Sequence, residues 1–198
     1  MEKKLCPFGA YLTDLRKQHS EMPQWLLAAK CEIVPANLRK IEKGVTQPGV
    51  MLAIRIVRTL GEDVGEVFAE IASKEGLLIA VGKECKGLEQ PVKDLDIDSI
   101  VREHVTNNDC KCLFGPLFRA VRMKMNVSQQ NVAHYADYHQ RNILEVEKGK
   151  REPGVMTALA LVCATGCDVS WFFNSLLKYS LKSCVYTGLE GETHGAKS

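Results

Sequence analysis

The sequence predicts an all-α protein made of two tandem five-helix bundles joined by a connector of mixed character. The main observation is an internal repeat: NLRKIEKGVTQPGVMLA at 37–53 returns as NILEVEKGKREPGVMTA at 142–158, with Gly44 aligned to Gly149 (149 − 44 = 105). The second observation is that the same order of helix signals surrounds each copy. Self-similarity in a fixed register indicates one structural unit built twice, and a unit of this length is a small domain.

Helix signals follow one another through the first copy. Ser20 or Pro23 opens the second helix and Pro35 opens the third, because proline loses no hydrogen bond in the first turn of a helix. Gly44 and Gly61 follow the third and fourth helices, where glycine supplies a left-handed C-cap. The expected helices span residues 8–19, 24–31, 35–43 and 48–60, and a fifth begins after the N-cap Asp63.

The second copy repeats this order. Ser128 and Asp168 are suited to N-caps, and Gly149 and Gly166 to C-caps. Its entry CLFG at 112–115 matches CPFG at 6–9 at an offset of 106, so the first copy carries one extra residue between its first two helices. The expected helices span residues 114–125, 129–136, 140–148 and 154–165, and a fifth follows Asp168.

These signals divide the chain into four parts. The predicted parts are a first domain at 6–72, a connector at 73–111, a second domain at 112–178 and a tail at 179–198. Because each copy has a complete set of helix signals, we expect two separate bundles, each with its own core. A flexible connector of about 40 residues would span roughly 35 Å, close to one turn of DNA.

Parts of the connector and tail carry weaker signals. The apolar runs at 77–81 and 181–187 each follow a fifth helix and predict short strands. Each strand would expose an edge, and pairing of the two strands, within one chain or across a dimer, would cover these edges. A helix is expected at 98–104. The segment 188–198 is mostly polar, with three Gly, single Thr, Lys and Ser residues and one Leu, a composition typical of disordered tails.

The composition is that of an ordinary globular protein. Of 198 residues, 26 are basic and 24 acidic, so a nucleic-acid partner would be indicated only by local placement of charge. No apolar run approaches the ~20 residues of a membrane span, and the start is not a signal core, so we expect a cytoplasmic protein without a membrane partner. No cofactor is predicted.

The eight cysteines are scattered along the chain, and we expect reduced thiols, several of them in the core. Cys110 and Cys112, together with Cys85 or Cys6, are the alternative candidates for a metal site. Their spacing fits no common zinc pattern, so no metal site is predicted.

Both copies carry the spaced residues of a helix-turn-helix domain. In the first copy these are Arg16, Gln24, Leu27-Ala28, Asn37-Leu38, Ile41-Glu42-Lys43-Gly44 and Pro48; in the second they are Arg122, Gln129, Val132-Ala133, Asn142-Ile143, Val146-Glu147-Lys148-Gly149 and Pro153. This pattern resembles the Xre family of Cro and phage-repressor type, whose fold is the lambda-repressor-like bundle. The resemblance implies double-stranded DNA as partner, with each third helix in the major groove. The first copy departs from it, because Glu21-Met22-Pro23 replaces the usual Ser cap and its turn lacks the usual Gly.

The third helix of the second copy carries good base-reading side chains. Gln140, Arg141 and Asn142 lie in its first turn, and Glu145 lies one turn later. Arg pairs with guanine, Gln or Asn with adenine, and Glu accepts from cytosine. A solvated helix start is the alternative interpretation of these residues.

The first copy is better suited to phosphate than to bases. Pro35 and Ala36 make only apolar contacts, and Arg39 and Lys40 are either backbone contacts or ordinary surface charges. Asn37 either contacts phosphate or a base, or is simply a polar residue of the helix. The resemblance implies that two glutamines at the start of the second helices contact DNA phosphate, where the helix N-terminus adds its N–H groups. Four cations near the ends of the third helices could reach the DNA backbone. These residues are Gln24, Gln129, Lys43, Lys148, Lys150 and Arg151.

Other residues have a structural interpretation. Leu38, Ile41, Ile143 and Val146 are expected in the core, and Trp25 and Trp171 as packing residues. Glu42 and Glu147 are expected to pair with Arg16 and Arg122.

The leading functional prediction is a sequence-specific DNA-binding regulator of transcription, a repressor. The alternative is a protein-interaction module on the same fold, an antitoxin or an inhibitor, since fold does not fix function. An enzyme is the weakest prediction, because no nucleophile-and-base arrangement is visible. One chain filling two half-sites competes with a homodimer in which only the second copy reads bases.

Overall fold

The computed structural model describes residues 5–18, 22–78 and 113–189, and all helices or strands within these residues are α-helices. The prediction of an all-α fold is therefore confirmed for them. The helices are α1 Phe8–Gln18, α2 Gln24–Lys30, α3 Pro35–Glu42, α4 Val50–Thr59, α5 Val64–Lys74, α6 Phe114–Lys124, α7 Gln129–Tyr135, α8 Gln140–Glu147, α9 Val155–Ala164 and α10 Val169–Leu189.

Helices α1–α5, the first helical set, and α6–α10, the second helical set, begin in a common register. The starts of α2 and α7 differ by 105 residues (129 − 24), and the same offset relates the next three pairs. The starts of α1 and α6 differ by 106 (114 − 8), which confirms the extra residue before α2.

Several of the predicted helix caps are present in the structure. Asp63 accepts the backbone N–H of Glu66 at 2.8 Å, and Ser128 accepts that of Asn131 at 3.0 Å. Gly44 has a positive φ of 67° after α3, as a left-handed C-cap requires. The α2–α3 and α7–α8 turns use Glu32 at φ 55° and Asp137 at φ 46° in place of glycine.

The predicted strand at 181–187 is wrong, because α10 continues without a break to Leu189. A helix that is already nucleated gains one hydrogen bond for each residue added, and this outweighs the β-propensity of a short Cys-Val-Tyr-Thr run. Leu77 and Leu78 lie in the turn that ends α5, where the N–H of Leu77 bonds to the carbonyl of Ala72 at 2.9 Å. The remainder of 77–81, the helix expected at 98–104 and the tail beyond 189 lie outside the described residues.

The expectation of two separate cores is also wrong. One hydrophobic cluster includes buried residues of both helical sets. Phe68 of α5 packs edge-to-face on Phe173 of α10 with ring centroids 4.6 Å apart, and each ring also meets a phenylalanine of its own set, Phe8 and Phe114. Each fifth helix has apolar residues on more than one face, so its own bundle does not cover all of them. The domain boundaries stay a prediction.

The loops after α3 and α8 join the two sets through a short antiparallel contact. The N–H of Val50 bonds to the carbonyl of Pro153 at 3.0 Å, and the N–H of Val155 bonds to the carbonyl of Pro48 at 3.0 Å. Val50 and Val155 are equivalent residues of the repeat (155 − 50 = 105), as are Pro48 and Pro153 (153 − 48 = 105), so the two bonds are the same contact made in both directions. This is the property of an isologous contact. The two sets are therefore related by an approximate two-fold axis near Gly49 and Gly154.

A second contact on the same axis joins α5 to α10. The N–H of Gly65 bonds to Oδ1 of Asn174 at 3.1 Å, and Nδ2 of Asn174 bonds to Oδ1 of Asp63 at 3.1 Å. A Cβ at position 65 would lie 2.5 Å from the carbonyl oxygen of Ser170, the residue 105 positions later. Glycine is therefore required at this contact between the two helices.

Candidate nucleic-acid interface

A buried carboxylate anchors the C-terminal end of α8. Oε1 of Glu147 accepts Nε of Arg122 at 2.5 Å, and Oε2 accepts Nε2 of Gln129 at 2.7 Å and Nη2 of Arg122 at 3.2 Å. The remaining guanidinium nitrogen of Arg122 donates to the carbonyl of Val127 at 2.8 Å. A buried charge is tolerated when it is paired and fully hydrogen-bonded, and this network ties α8 to α6 and α7. The predicted pairing of Glu147 with Arg122 is confirmed.

The first helical set contains the same network. Oε1 of Glu42 accepts Nε of Arg16 at 2.5 Å, and Oε2 accepts Nε2 of Gln24 at 2.5 Å. The pairing predicted for Glu42 is thus confirmed as well. In both sets the glutamine is the first residue of the second helix, and its side-chain amide donates a hydrogen bond to the glutamate carboxylate. Both glutamines are half-buried. Each third helix therefore has a fixed orientation relative to the two helices before it.

The opposite end of α8 presents polar groups to solvent. Gln140 and Arg141 are exposed, Asn142 is half-buried, and Oδ1 of Asn142 accepts Nη1 of Arg151 at 3.2 Å. Ile143 is buried on the other side of the helix, as predicted. The structure therefore brings Arg151, which follows the helix, back to its first turn.

The flanks of α8 add charge. Lys148, Lys150 and Arg151 are exposed at the end of the helix and in the loop that follows, and Glu145 is half-buried one turn after Arg141. The cations therefore follow the C-terminal end of α8, and one of them, Arg151, reaches the polar first turn through its bond to Asn142. Backbone phosphates on either side of a groove are met by cations in such positions.

The α3 surface differs in chemistry although its frame is the same. Leu38 and Ile41 are buried, as predicted, and Pro35, Ala36, Asn37, Arg39, Lys40 and Lys43 are all exposed. The helix therefore begins with two apolar residues and continues with cations. This gradient is absent from α8, where the first two residues are Gln140 and Arg141.

Three large apolar side chains of the first helical set are exposed to solvent. Trp25 is 64% exposed, Val34 61% and Val45 45%. The packing role predicted for Trp25 is wrong, because Leu27 and Ala28 take the buried positions of α2; Trp171, by contrast, packs against the core.

Sequence analysis did not single out Val34 and Val45. A signal was available, because the offset of 105 aligns the three exposed residues with polar ones in the second set. Those polar residues are Gln130, His139 and Lys150.

The described cysteines belong to the packing. Burial raises the pKa of the Cys163 thiol to about 12 and, with smaller contributions from Asp168 and Cys163, that of Cys167 to about 12. Within residues 5–18, 22–78 and 113–189, no cluster of three His, Cys, Asp or Glu side chains is arranged to hold a metal ion. Cys6 is half-buried, and Cys85, Cys110 and Cys112 lie outside the described residues.

Comparison with known proteins agrees with the geometry of the second set. The Helix-turn-helix family model matches residues 118–172, which run from α6 into α10. No curated protein and no solved structure matches the chain. No helix in the described part of the chain is long and apolar enough to cross a membrane. The chain thus contains, at residues 118–172, a segment similar to helix-turn-helix domains.

Proposed function

We propose that this chain is a sequence-specific double-stranded DNA-binding regulator of transcription, a repressor, whose second helical set reads the major groove with α8. The observation that carries this proposal is the exposed first turn of α8, held in a fixed orientation by the buried Glu147 network. Gln140 and Arg141 offer the donors and acceptors that distinguish base edges. Lys148 and Lys150 supply charge for the phosphates.

We further propose that the first helical set is a second helix-turn-helix module. Its support is the matching Arg16–Glu42–Gln24 network, which orients α3 as its counterpart orients α8. Exposed Arg39, Lys40 and Lys43 provide charge suited to the DNA backbone. Because two half-sites on B-DNA are related by a two-fold axis, the reciprocal junction at Gly49 and Gly154 favours one chain filling both half-sites.

The two half-sites would differ in sequence. The first turn of α3 begins Pro35-Ala36, whereas that of α8 begins Gln140-Arg141, so the preferred site is an imperfect palindrome. The packing of α5 on α10, rather than the reach of a coil connector, sets the half-site separation. A chain held across two successive major grooves would repress by excluding other proteins from that DNA.

The test is selection of bound sites from random duplex DNA by the full chain, followed by titration of the best site at several salt concentrations. We expect one chain per duplex and an affinity that falls linearly on a log–log plot, with a slope of ~0.9 per phosphate contacted. Two chains per duplex on a perfect palindrome would support the homodimer in which only α8 reads bases. The absence of any selected sequence would contradict DNA reading itself.

A protein-interaction module, an antitoxin or inhibitor, is the second candidate. The observation in its favour is the exposure of Trp25, Val34 and Val45, since exposed large apolar side chains are typical of protein-binding surfaces. We propose no catalytic activity. Salt-dependent selection of one duplex sequence would separate DNA reading from this candidate.

A further inference from the structure

We propose that the first helical set reads thymine in its half-site through the C5 methyl group, using Val34, Pro35 and Ala36 at the start of α3. This inference rests on the proposed function and adds the chemistry of one half-site to it. It goes beyond the expectation that α3 is better suited to phosphate than to bases.

The N-cap and the first two helical residues of α3 have no side chain that can form a hydrogen bond with a base. Val34 is the N-cap residue, Pro35 and Ala36 are the first two residues of the helix, and all three are exposed. The carbonyl of Val34 already accepts the N–H of Asn37 at 2.8 Å and of Leu38 at 3.3 Å, and proline has no N–H. The part of the helix that enters a major groove first is therefore apolar.

Thymine is the base that such a surface recognises. In the major groove guanine, cytosine and adenine present hydrogen-bonding groups and no methyl group, whereas thymine carries a methyl group beside its acceptor. Placing Val34 and Ala36 against guanine or cytosine would leave polar base edges without partners, which costs free energy. A methyl group against the same side chains gains free energy from the apolar area buried.

The surroundings favour DNA over a protein as the occupant. Asn37, Arg39 and Lys40 are exposed on the same short helix, so its apolar start is followed directly by groups suited to phosphate. The surface also has a counterpart in α8, to which the junction at Gly49 and Gly154 relates it by the two-fold axis. An apolar tip with a cationic flank, paired with a second reading helix, fits a groove lined by phosphates.

The two half-sites would then be read by different chemistry. The half-site of the second set is read by hydrogen bonds from Gln140 and Arg141, and that of the first set by methyl contacts. A chain with two unlike reading helices binds in one orientation, so the direction of the site is defined as well as its position.

The experiment uses the full chain and its best selected duplex. Arg141→Ala first identifies the half-site of the second set, as the one whose base preference relaxes. Each thymine is then replaced singly by deoxyuridine, which removes the methyl group and leaves the hydrogen-bonding edge unchanged. We expect one or two thymines in the first-set half-site to lose about 3- to 5-fold in affinity, as burial of one methyl group predicts.

Two protein variants test whether this loss of affinity depends on the start of α3. Val34→Ser removes the methyl groups of a side chain that is 61% exposed and leaves a residue favourable at an N-cap, so the fold is preserved. We expect the difference in affinity between the thymine and uracil duplexes to become smaller in this variant, because Pro35 and Ala36 remain but the Val34 methyl groups are gone. The matched control is Val45→Ser, an exposed valine beyond the end of α3, which should keep the full uracil effect.

Three outcomes would overturn the proposal. Specific binding that is insensitive to uracil at every position would remove methyl reading while leaving the proposed function intact. Uracil effects confined to the half-site of the second set would assign methyl reading to α8 instead. A chain that selects no duplex at all would end both proposals and leave the apolar start of α3 to a protein partner.

Discussion

Glu152 caps a helix that belongs to the other half of the chain, because its Oε1 accepts the N–H of Met51 at 2.9 Å in the first turn of α4. The N-cap residue of α4 is Gly49, which has no side chain for this purpose. An equivalent contact is made at the start of α9. With the side-chain amide of Gln47 oriented so that its oxygen faces the backbone donors, that oxygen accepts the N–H of Met156 at 2.8 Å. Each loop therefore completes a helix of the opposite set.

Glu152→Ala should lower the free energy of unfolding by about 1 kcal/mol, the usual effect of losing an N-cap acceptor. Denaturant titration measures the change. Lys150→Ala, an exposed residue of the same loop, is the control and should stay within ±0.5 kcal/mol. Equal effects of the two substitutions would show that the capping contact contributes nothing to stability.

The merged core predicts a single unfolding transition for the two helical sets. Trp25 lies in the first set and Trp171 in the second, so Trp171→Phe and Trp25→Phe leave one fluorescent reporter in each. We expect both reporters to show the same midpoint, as in a two-state transition. Phe68→Ala, which removes one ring of the central pair, should lower both midpoints together, at a cost of about 3–5 kcal/mol. Two separated transitions would mean that the sets fold independently.

Glu147→Ala should be strongly destabilising, by about 3–5 kcal/mol, because it leaves the guanidinium of Arg122 in a buried position without its charge partner. Thermal or urea unfolding measures this. Glu70→Ala provides the contrast: Glu70 pairs with Lys74 on the exposed face of α5, where solvent screens the two charges, so the loss should be far smaller. Similar losses for the two variants would contradict an anchoring role for the Glu147 network.

Cys163 and Cys167 should resist alkylation in the folded protein. A pKa raised to about 12 leaves roughly one thiol in ten thousand as thiolate at pH 8, and the thiolate is the reactive form. We expect iodoacetamide to label both residues only in denaturant, as read by peptide mass spectrometry.

The same raised pKa values link stability to pH. The folded state holds these thiols protonated, whereas the unfolded chain releases the protons above about pH 9, the ordinary value. Their contribution is thus complete below pH 9 and is lost as pH rises towards 12. Rapid labelling of native protein at pH 8 would argue against the burial seen for both residues.

Arg141→Ala should reduce affinity for the best DNA site by ~1–3 kcal/mol and relax preference at one base pair. Lys148→Ala is the matched comparison, since a phosphate contact weakens binding to all sequences alike and lowers the salt slope by about one. Binding measured on the best site and on its single-base variants distinguishes the two patterns. An equal loss on every sequence for Arg141→Ala would make it a backbone contact.

Local features of the chain were readable from the sequence. Caps such as Asp63 and Ser128 act within a few residues of their own position, and the spacing of Leu38 and Ile41 marks the buried side of α3 whatever lies beneath it. The pairing of Arg122 with Glu147 followed from a pattern that appears twice. These properties depend on the backbone geometry of one helix or of one repeated motif, so the order of residues is sufficient to infer them.

The relation between the two sets was decided by tertiary packing. Periodicity shows that α5 and α10 are apolar on more than one face, but it does not name the helix that covers the second face; here Phe68 and Phe173 cover each other. The cap that Glu152 places on α4 and the exposure of Trp25 depend likewise on groups distant in sequence. An apolar residue gains the same free energy from any apolar neighbour, because hydrophobic burial is non-directional, so only the assembled fold selects the partner.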